Sequence, residues 1–148
     1  MIAVDTNVLV YAHRTETNRH DCARQWLTSL AEGLIPWGLP VFCLGEFVRV
    51  VTHRRVFDPP SSVDQAMQAV RALLQSPSLR LLNPGPEYPL HFEEAVREGR
   101  AVGNLVFDAQ IAAICREHGV ETLLTDDHDF SRFPALRILS LDREPGRP

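Results

Sequence analysis

Met1-Ile2-Ala3-Val4-Asp5-Thr6-Asn7-Val8-Leu9-Val10-Tyr11-Ala12 is the stretch from which the fold is read. The apolar run Ile2–Val4 ends in a polar turn, Asp5-Thr6-Asn7, and a second apolar run, Val8 to Ala12, follows at once. That order reads as strand, tight turn, short helix. Further along, the same alternation recurs. Arg19 to Glu32 has helical spacing in Ala23, Trp26, Leu27 and Leu30, with Gly33 just past its end. Leu34 to Leu39 reads as a second strand, and Pro40 as the opening of a helix striped by Leu44, Phe47, Val48 and Val51. After Pro59-Pro60, Ser61 or Ser62 can cap a helix carrying Val63, Ala66, Met67, Val70, Leu73 and Leu74. Leu79–Leu82 is a strand, Tyr88 to Glu98 a helix ending at Gly99, and Leu105 to His118 a helix capped by Asn104 and closed by Gly119. Thr122–Thr125 and Arg137–Leu141 are the last two strands. Strands alternating with helices imply an α/β fold with a mostly parallel sheet covered on both faces.

Composition narrows the function. The chain has 148 residues, a length for one domain, expected over 1–141, with 142–148 as a short frayed tail. All 15 basic residues are Arg, and Lys is absent. That excludes the P-loop NTPase, the Schiff-base enzyme and the lysine-dependent phosphoaspartate switch. A net charge of −4 argues against nucleic-acid binding by bulk charge. Cys22, Cys43 and Cys115 are odd in number and widely spaced, so reduced thiols are expected rather than disulfides or a thiolate metal site. No apolar run is long enough to span a membrane, and the first residues read as a strand rather than a signal peptide. A cytoplasmic protein is expected.

The chemistry lies where ligands of such sheets collect, beyond the carboxyl ends of the strands. Asp5 follows the first strand, and Asp126, Asp127 and Asp129 follow the strand ending at Thr125. Asp108 aligns on its helix with Ile111, Ala112 and Cys115, an otherwise apolar stripe. A carboxylate on that face is costly unless it is paired, hydrogen-bonded or bound to a cation. Glu46 shares the polar side of its helix with Arg49 and His53. If Asp5, Glu46, Asp108 and Asp127 converge, they make an all-oxygen cluster, suited to Mg²⁺ or Mn²⁺ rather than zinc. Each pair at about 4 Å repels by roughly 4 kcal/mol at an effective dielectric near 20, so a cation or raised pKa values must relieve it.

Asp5-Thr6-Asn7-Val8-Leu9-Val10-Tyr11-Ala12, Gly45-Glu46-Phe47, Gly103-Asn104-Leu105-Val106-Phe107-Asp108-Ala109 and Thr125-Asp126-Asp127-His128-Asp129-Phe130 occur in that order. From Met1 to about Leu141 the chain thus resembles the PIN-domain family, and within it the VapC toxins of bacterial toxin–antitoxin pairs. The resemblance implies a three-layer α/β/α sandwich and a Mg²⁺- or Mn²⁺-dependent endoribonuclease. It also implies a small VapB-like antitoxin that inhibits the enzyme, and a homodimer. By motif, Asp5 and Asp108 resemble the principal metal ligands, Glu46 the second acid and Asp127 the fourth. Thr6, Asn7, Asn104 and Thr125 match residues that orient the carboxylates. Asp129 would cap the turn beginning at Phe130 or help orient the ligands, and Asp126 falls at a variable position.

The reaction expected is hydrolysis of a phosphodiester in single-stranded or loop RNA. Glu46 or Asp127 would orient or deprotonate the water, and Arg49, with Arg14, Arg54 and Arg55, would hold the RNA backbone. Two alternatives share the fold: an RNA-maturation nuclease outside any toxin–antitoxin pair, and a non-catalytic RNA- or partner-binding module. Setting the four proposed acids aside leaves 15 acidic residues against 15 arginines. The acidic excess equals the proposed site, so it need not repel RNA.

Overall fold

The computed structural model describes residues 1–146. Five parallel strands, β1 (Ile2–Val4), β2 (Trp37–Pro40), β3 (Leu79–Leu82), β4 (Thr122–Leu124) and β5 (Arg137–Leu139), form one sheet in the order β3-β2-β1-β4-β5. Every residue of β2 and β4 is buried, as expected for a sheet covered on both faces. Six α-helices connect the strands: α1 (Thr6–His13), α2 (His20–Glu32), α3 (Phe42–Val51), α4 (Val63–Leu74), α5 (Tyr88–Gly99) and α6 (Leu105–Glu117). The chain leaves β1 toward β2 and β3 on one side, then returns to place β4 on the other. This reversal makes the carboxyl ends of β1 and β4 the crevice at which α/β sheets bind ligands.

The central strand pair sets the register of the site. Ile2, Ala3 and Val4 pair with Thr122, Leu123 and Leu124, and the Asp5 N–H continues the ladder by donating to the Leu124 carbonyl at 3.1 Å. The core gathers around these strands, with Trp37, Phe47, Phe130, Phe133, Ile111 and Ile114 among its largest fully buried side chains. Cys43 and Cys115 are buried free thiols and Cys22 is half-buried, with no disulfide among them. Burial pushes the Cys115 thiol up to about 12, so it stays protonated and inert.

Several local expectations are corrected. The second strand begins at Trp37, while Leu34 and Ile35 lie on the surface. Pro40 ends that strand instead of opening α3. It pairs with Leu82, and the donors toward β3 alternate along the strand, Trp37 N to Ser78 O at 3.1 Å and Val41 N to Leu82 O at 2.9 Å, so this side of the ladder asks no N–H of Pro40. On α4 only Ala66 and Val70 of the predicted stripe are buried, and Val63, Met67 and Leu74 are exposed. Ser62, not Ser61, caps that helix through a reciprocal pair with Gln65. α5 passes through Gly99 and turns at Arg100, which takes the left-handed conformation at φ 48°. A Cβ on Gly99 would meet the Phe133 ring at 2.5 Å, so this glycine serves close packing rather than the cap. α6 does end as expected: Gly119, at φ 65°, lets Val120 N donate to Cys115 O. The expected frayed tail is anchored at its start, where Asp142 pairs with Arg19 and the Trp26 indole donates to Arg143 O at 2.9 Å. Residues 147 and 148 of that tail lie outside the described residues.

Candidate active site

Asp5 and Thr125 stand side by side because β1 and β4 are adjacent and in register. Asp5 is buried, and its carboxylate accepts from Thr6 N at 2.7 Å and from the Thr125 hydroxyl at 2.7 Å. The Thr125 hydroxyl also accepts from the Asn7 side-chain amide at 3.0 Å and from Asp127 N at 2.9 Å. Its one proton and both lone pairs are therefore used. This buried hydroxyl ties the first motif to the fourth. Thr6, from α1, donates to Glu46 Oε2 at 2.9 Å and so connects the first motif to the second. Arg49, one turn on from Glu46, places Nη2 3.7 Å from Glu46 Oε1 and remains largely exposed.

Asp5, Glu46, Asp108 and Asp127 line a single cleft of about 280 Å³, together with Thr6, Asn7, Val10, Tyr11, Val50, Val56 and Phe57. Four residues separated by up to 122 positions in sequence meet there. The tightest acidic group is a trio: one carboxylate oxygen each from Asp108, Asp127 and Asp129 lies within 4.8 Å of the other two. A larger apolar hollow of about 400 Å³, lined by Leu9, Leu27, Trp37 and Leu73 among others, contains none of these acids. Size therefore does not select the site; the donors do.

Electrostatics mark the same residues. Burial, added to repulsion from Glu46 and Asp127, pushes Asp5 up to about 7 despite its two hydrogen bonds. Burial also pushes Asp108 up to about 7, with Asp127, Asp5, Glu46 and Asp129 adding repulsion. No side-chain hydrogen bond relieves Asp108 among the described residues. The donors are all oxygen, and the buried Asn7 Oδ1 has no hydrogen-bond partner. Such a set fits a hard divalent cation, which would neutralise the accumulated charge.

Some candidates are placed differently from expectation. Asn104 is exposed, its backbone is already helical, and its side chain neither caps α6 nor bonds to a carboxylate. Asp127, not Asp129, caps the short 3₁₀ turn His128–Arg132, accepting from Asp129 N at 2.9 Å. Asp129 instead presents its carboxylate to the acidic trio. Asp126 is turned away from the cleft's donors, held by Arg19 Nε at 2.7 Å and Leu141 N at 3.1 Å. The Arg14 guanidinium is engaged within the chain. It donates to Pro59 O at 2.7 Å, Ser61 Oγ at 3.0 Å and Glu16 Oε1 at 2.8 Å, and lies 4.4 Å from the centre of the Phe57 ring. Arg54 and Arg55 are exposed on the same connection. Sequence periodicity gave no signal for these Arg14 contacts, which join segments more than 40 residues apart.

The PIN-domain family model matches residues 2–136. The chain belongs to the PIN-domain family. A VapC ribonuclease of Mycobacterium bovis is 44% identical over 137 residues, covering 93% of this chain and 92% of the relative. Ribonuclease VapC31 of Mycobacterium tuberculosis is 34% identical, covering 93% and 96%. Among solved structures, the VapBC2 complex of Rickettsia felis bound to a promoter DNA fragment matches this PIN domain with a TM-score of 0.70 at 21% identity, over 95% of this chain and 98% of that one. VapC20 of Mycobacterium tuberculosis, described as a sarcin–ricin loop cleaving toxin, matches with a TM-score of 0.63 at 22% identity, over 88% and 93%. These likenesses agree with the parallel α/β fold of the PIN domain. No helix among its described residues is long and apolar enough to cross a membrane.

Thr125 offers a direct check on this geometry. Thr125→Val removes one hydroxyl and leaves Asp5, Asn7 and the Asp127 N–H short of a partner, at a cost of about 3 kcal/mol in stability. Affinity for a divalent cation should fall between about 10- and 100-fold, as for other residues that orient ligands. Thr125→Ser should restore most of both, measured by denaturant unfolding and by metal titration.

Proposed function

We propose that this PIN domain is a divalent-cation-dependent endoribonuclease of the VapC type, a cytoplasmic toxin neutralised by a small VapB-like antitoxin. The observation that carries the reading is the convergence of Asp5, Glu46, Asp108 and Asp127 on one cleft, each from a different motif. The curated relatives, named as VapC ribonucleases, support it, as do solved VapB–VapC pairs of the same fold.

Asp5, Asp108 and Asp127, with Glu46 and Asp129 beside them, would hold the cation, and their oxygen donors favour Mg²⁺ with Mn²⁺ as a substitute. When bound, the cation supplies charge neutralisation at the phosphate and stabilises the negative charge that develops on its oxygens. Glu46 or Asp127 orients the attacking water and takes its proton as the water oxygen bonds to phosphorus, while the bond from phosphorus to the leaving nucleotide oxygen breaks and that oxygen takes a proton from solvent. Thr6 and Thr125 keep the carboxylates in place for that task. Arg49 stands beside Glu46, exposed, where it can contact the RNA backbone.

The test incubates the purified chain with total RNA in millimolar Mg²⁺ or in EDTA and sequences the resulting ends. Discrete new ends are expected with Mg²⁺ alone. Identical ends in both arms, or none in either, would overturn the proposal. An open reading frame for a small protein whose product binds the chain and stops this cleavage is the further expectation for a toxin.

A further inference from the structure

The acids account for only part of the cleft. The remaining lining includes Val10, Val50, Val56 and Phe57, whose side chains neither hold a cation nor polarise water. Val56 is 53% exposed, on the connection between α3 and α4, so core packing does not explain it. Phe57, beside it, is only partly buried.

This connection is held by His13 and Arg14, at the carboxyl end of α1. The Arg14 guanidinium lies 4.4 Å from the Phe57 ring centre and donates to Pro59 O and Ser61 Oγ. His13 Nε2 is also 2.9 Å from Ser61 Oγ, and Ser61 N donates to Val51 O at 2.8 Å. A loop tip bearing two apolar residues is thereby fixed against the catalytic acids. Arg54 and Arg55 precede Val56 directly, and among the described residues their guanidinium groups form no hydrogen bond or ion pair. The tip therefore presents an apolar surface next to free positive charge, on the rim of a cleft suited to phosphodiester chemistry. Unpaired RNA combines the same two features, a base with an apolar face and an adjacent phosphate.

We infer that Val56 and Phe57 form the seat of a nucleobase flanking the scissile phosphate, with Arg14 the positioning residue that holds that seat. The inference rests on the endoribonuclease reading above. Val56 and Phe57 touch the substrate, whereas Arg14 acts through Phe57, Pro59 and Ser61.

The experiment uses a single-stranded RNA oligonucleotide spanning one mapped cut, and the same oligonucleotide with an abasic nucleotide on either side of that cut. On one of the two, removing the base should lower wild-type kcat/KM by about 10-fold, the size expected for one base lying on an apolar or aromatic side chain. In Val56→Ser and Phe57→Leu that penalty should shrink to about 2-fold or less, because protein and base contribute to the same contact. Arg14→Lys retains the charge but cannot make the planar fork, and it should lose the penalty as the seat variants do. KM for the intact oligonucleotide should rise in all three, with kcat little changed. An undiminished abasic penalty in both Val56→Ser and Phe57→Leu overturns the seat. An undiminished penalty in Arg14→Lys overturns its positioning role. Failure of the wild type to cut the intact oligonucleotide in Mg²⁺ overturns the endoribonuclease reading instead. Because Val56 is exposed, Val56→Ser should melt as the wild type does, keeping the outcome separate from folding.

Discussion

Asp5→Asn should lower Mg²⁺-dependent RNA cleavage by at least about 100-fold, since even residues that only orient ligands cost 10- to 100-fold when removed. The substitution replaces the buried acid at the strand junction by a group of the same size without charge. An amide also fits the surrounding hydrogen bonds poorly. Thr125 Oγ1 already accepts from Asn7 and from Asp127 N and spends its proton on Asp5 Oδ2. An Asn Nδ2 placed there would meet a filled acceptor, and in the flipped orientation it would face the Thr6 N–H, another donor. One hydrogen bond is lost in either orientation, while repulsion from Glu46 and Asp127 is relieved. These effects oppose each other, so the melting temperature without metal should stay within a few degrees of wild type or rise. Cleavage is lost by chemistry, not by unfolding. Wild-type cleavage by a folded Asp5→Asn protein would remove Asp5 from the site.

The metal-free protein should lose stability as pH rises from about 4 to 7, opposite to the usual behaviour of salt-bridged carboxylates. Asp5 and Asp108 both titrate near 7 when folded, against 3.8 for an ordinary aspartate. Between those values the native state holds more protons than the unfolded state, so the unfolding free energy falls with pH. The loss is complete above the folded pKa and absent below the unfolded one. For buried Asp5 the difference between 3.8 and about 7 corresponds to at most about 4 kcal/mol. Several degrees of melting temperature should separate pH 5 from pH 8, given about 2–4 °C per kcal/mol for a chain of this size. Millimolar Mg²⁺ should recover most of the difference by binding the charged native state. Asp108→Asn is the cleaner comparison, since Asp108 has no hydrogen bond to lose among the described residues. It should flatten the pH dependence and shrink the Mg²⁺-induced rise. Equal Mg²⁺-induced rises in wild type and Asp108→Asn would argue against Asp108 as a ligand.

Much of the site was legible because its residue types are expensive where they occur. Asp108 on an apolar stripe and Asp5 immediately after a buried strand are positions that fold stability alone does not favour. The fold class was legible for a related reason: short apolar runs alternating with helical periodicity admit few arrangements. Boundaries were less legible. Pro40 reads as a helix opener by propensity, yet the ladder to β3 includes it because the donors on that side are at alternate residues, Trp37 and Val41, and none is needed at Pro40. Gly99 reads as a cap, yet the Phe133 ring needs its absent Cβ, and the left-handed turn passes to Arg100.

The arginines were the least legible part. Sequence assigns the same charge to Arg14, Arg49, Arg54 and Arg55, and local spacing distinguishes only Arg49, by its place beside Glu46. Tertiary structure separates them, because Arg14 meets acceptors on a connection more than 40 residues away while the guanidinium groups of Arg54 and Arg55 meet none among the described residues. The roles of Asp127 and Asp129 divide in the same manner, one capping the turn and both contributing to the acidic trio. By itself the sequence determined the alternating α/β pattern, the absence of lysine chemistry and the four carboxylates, since these follow from residue type and local period. Only the tertiary structure decided which acids share a cleft, that Thr125 binds two motifs together, and that Arg14 clamps the connection bearing Phe57. Those facts depend on strand order and register, which bring distant residues within hydrogen-bond range and leave no trace in local spacing.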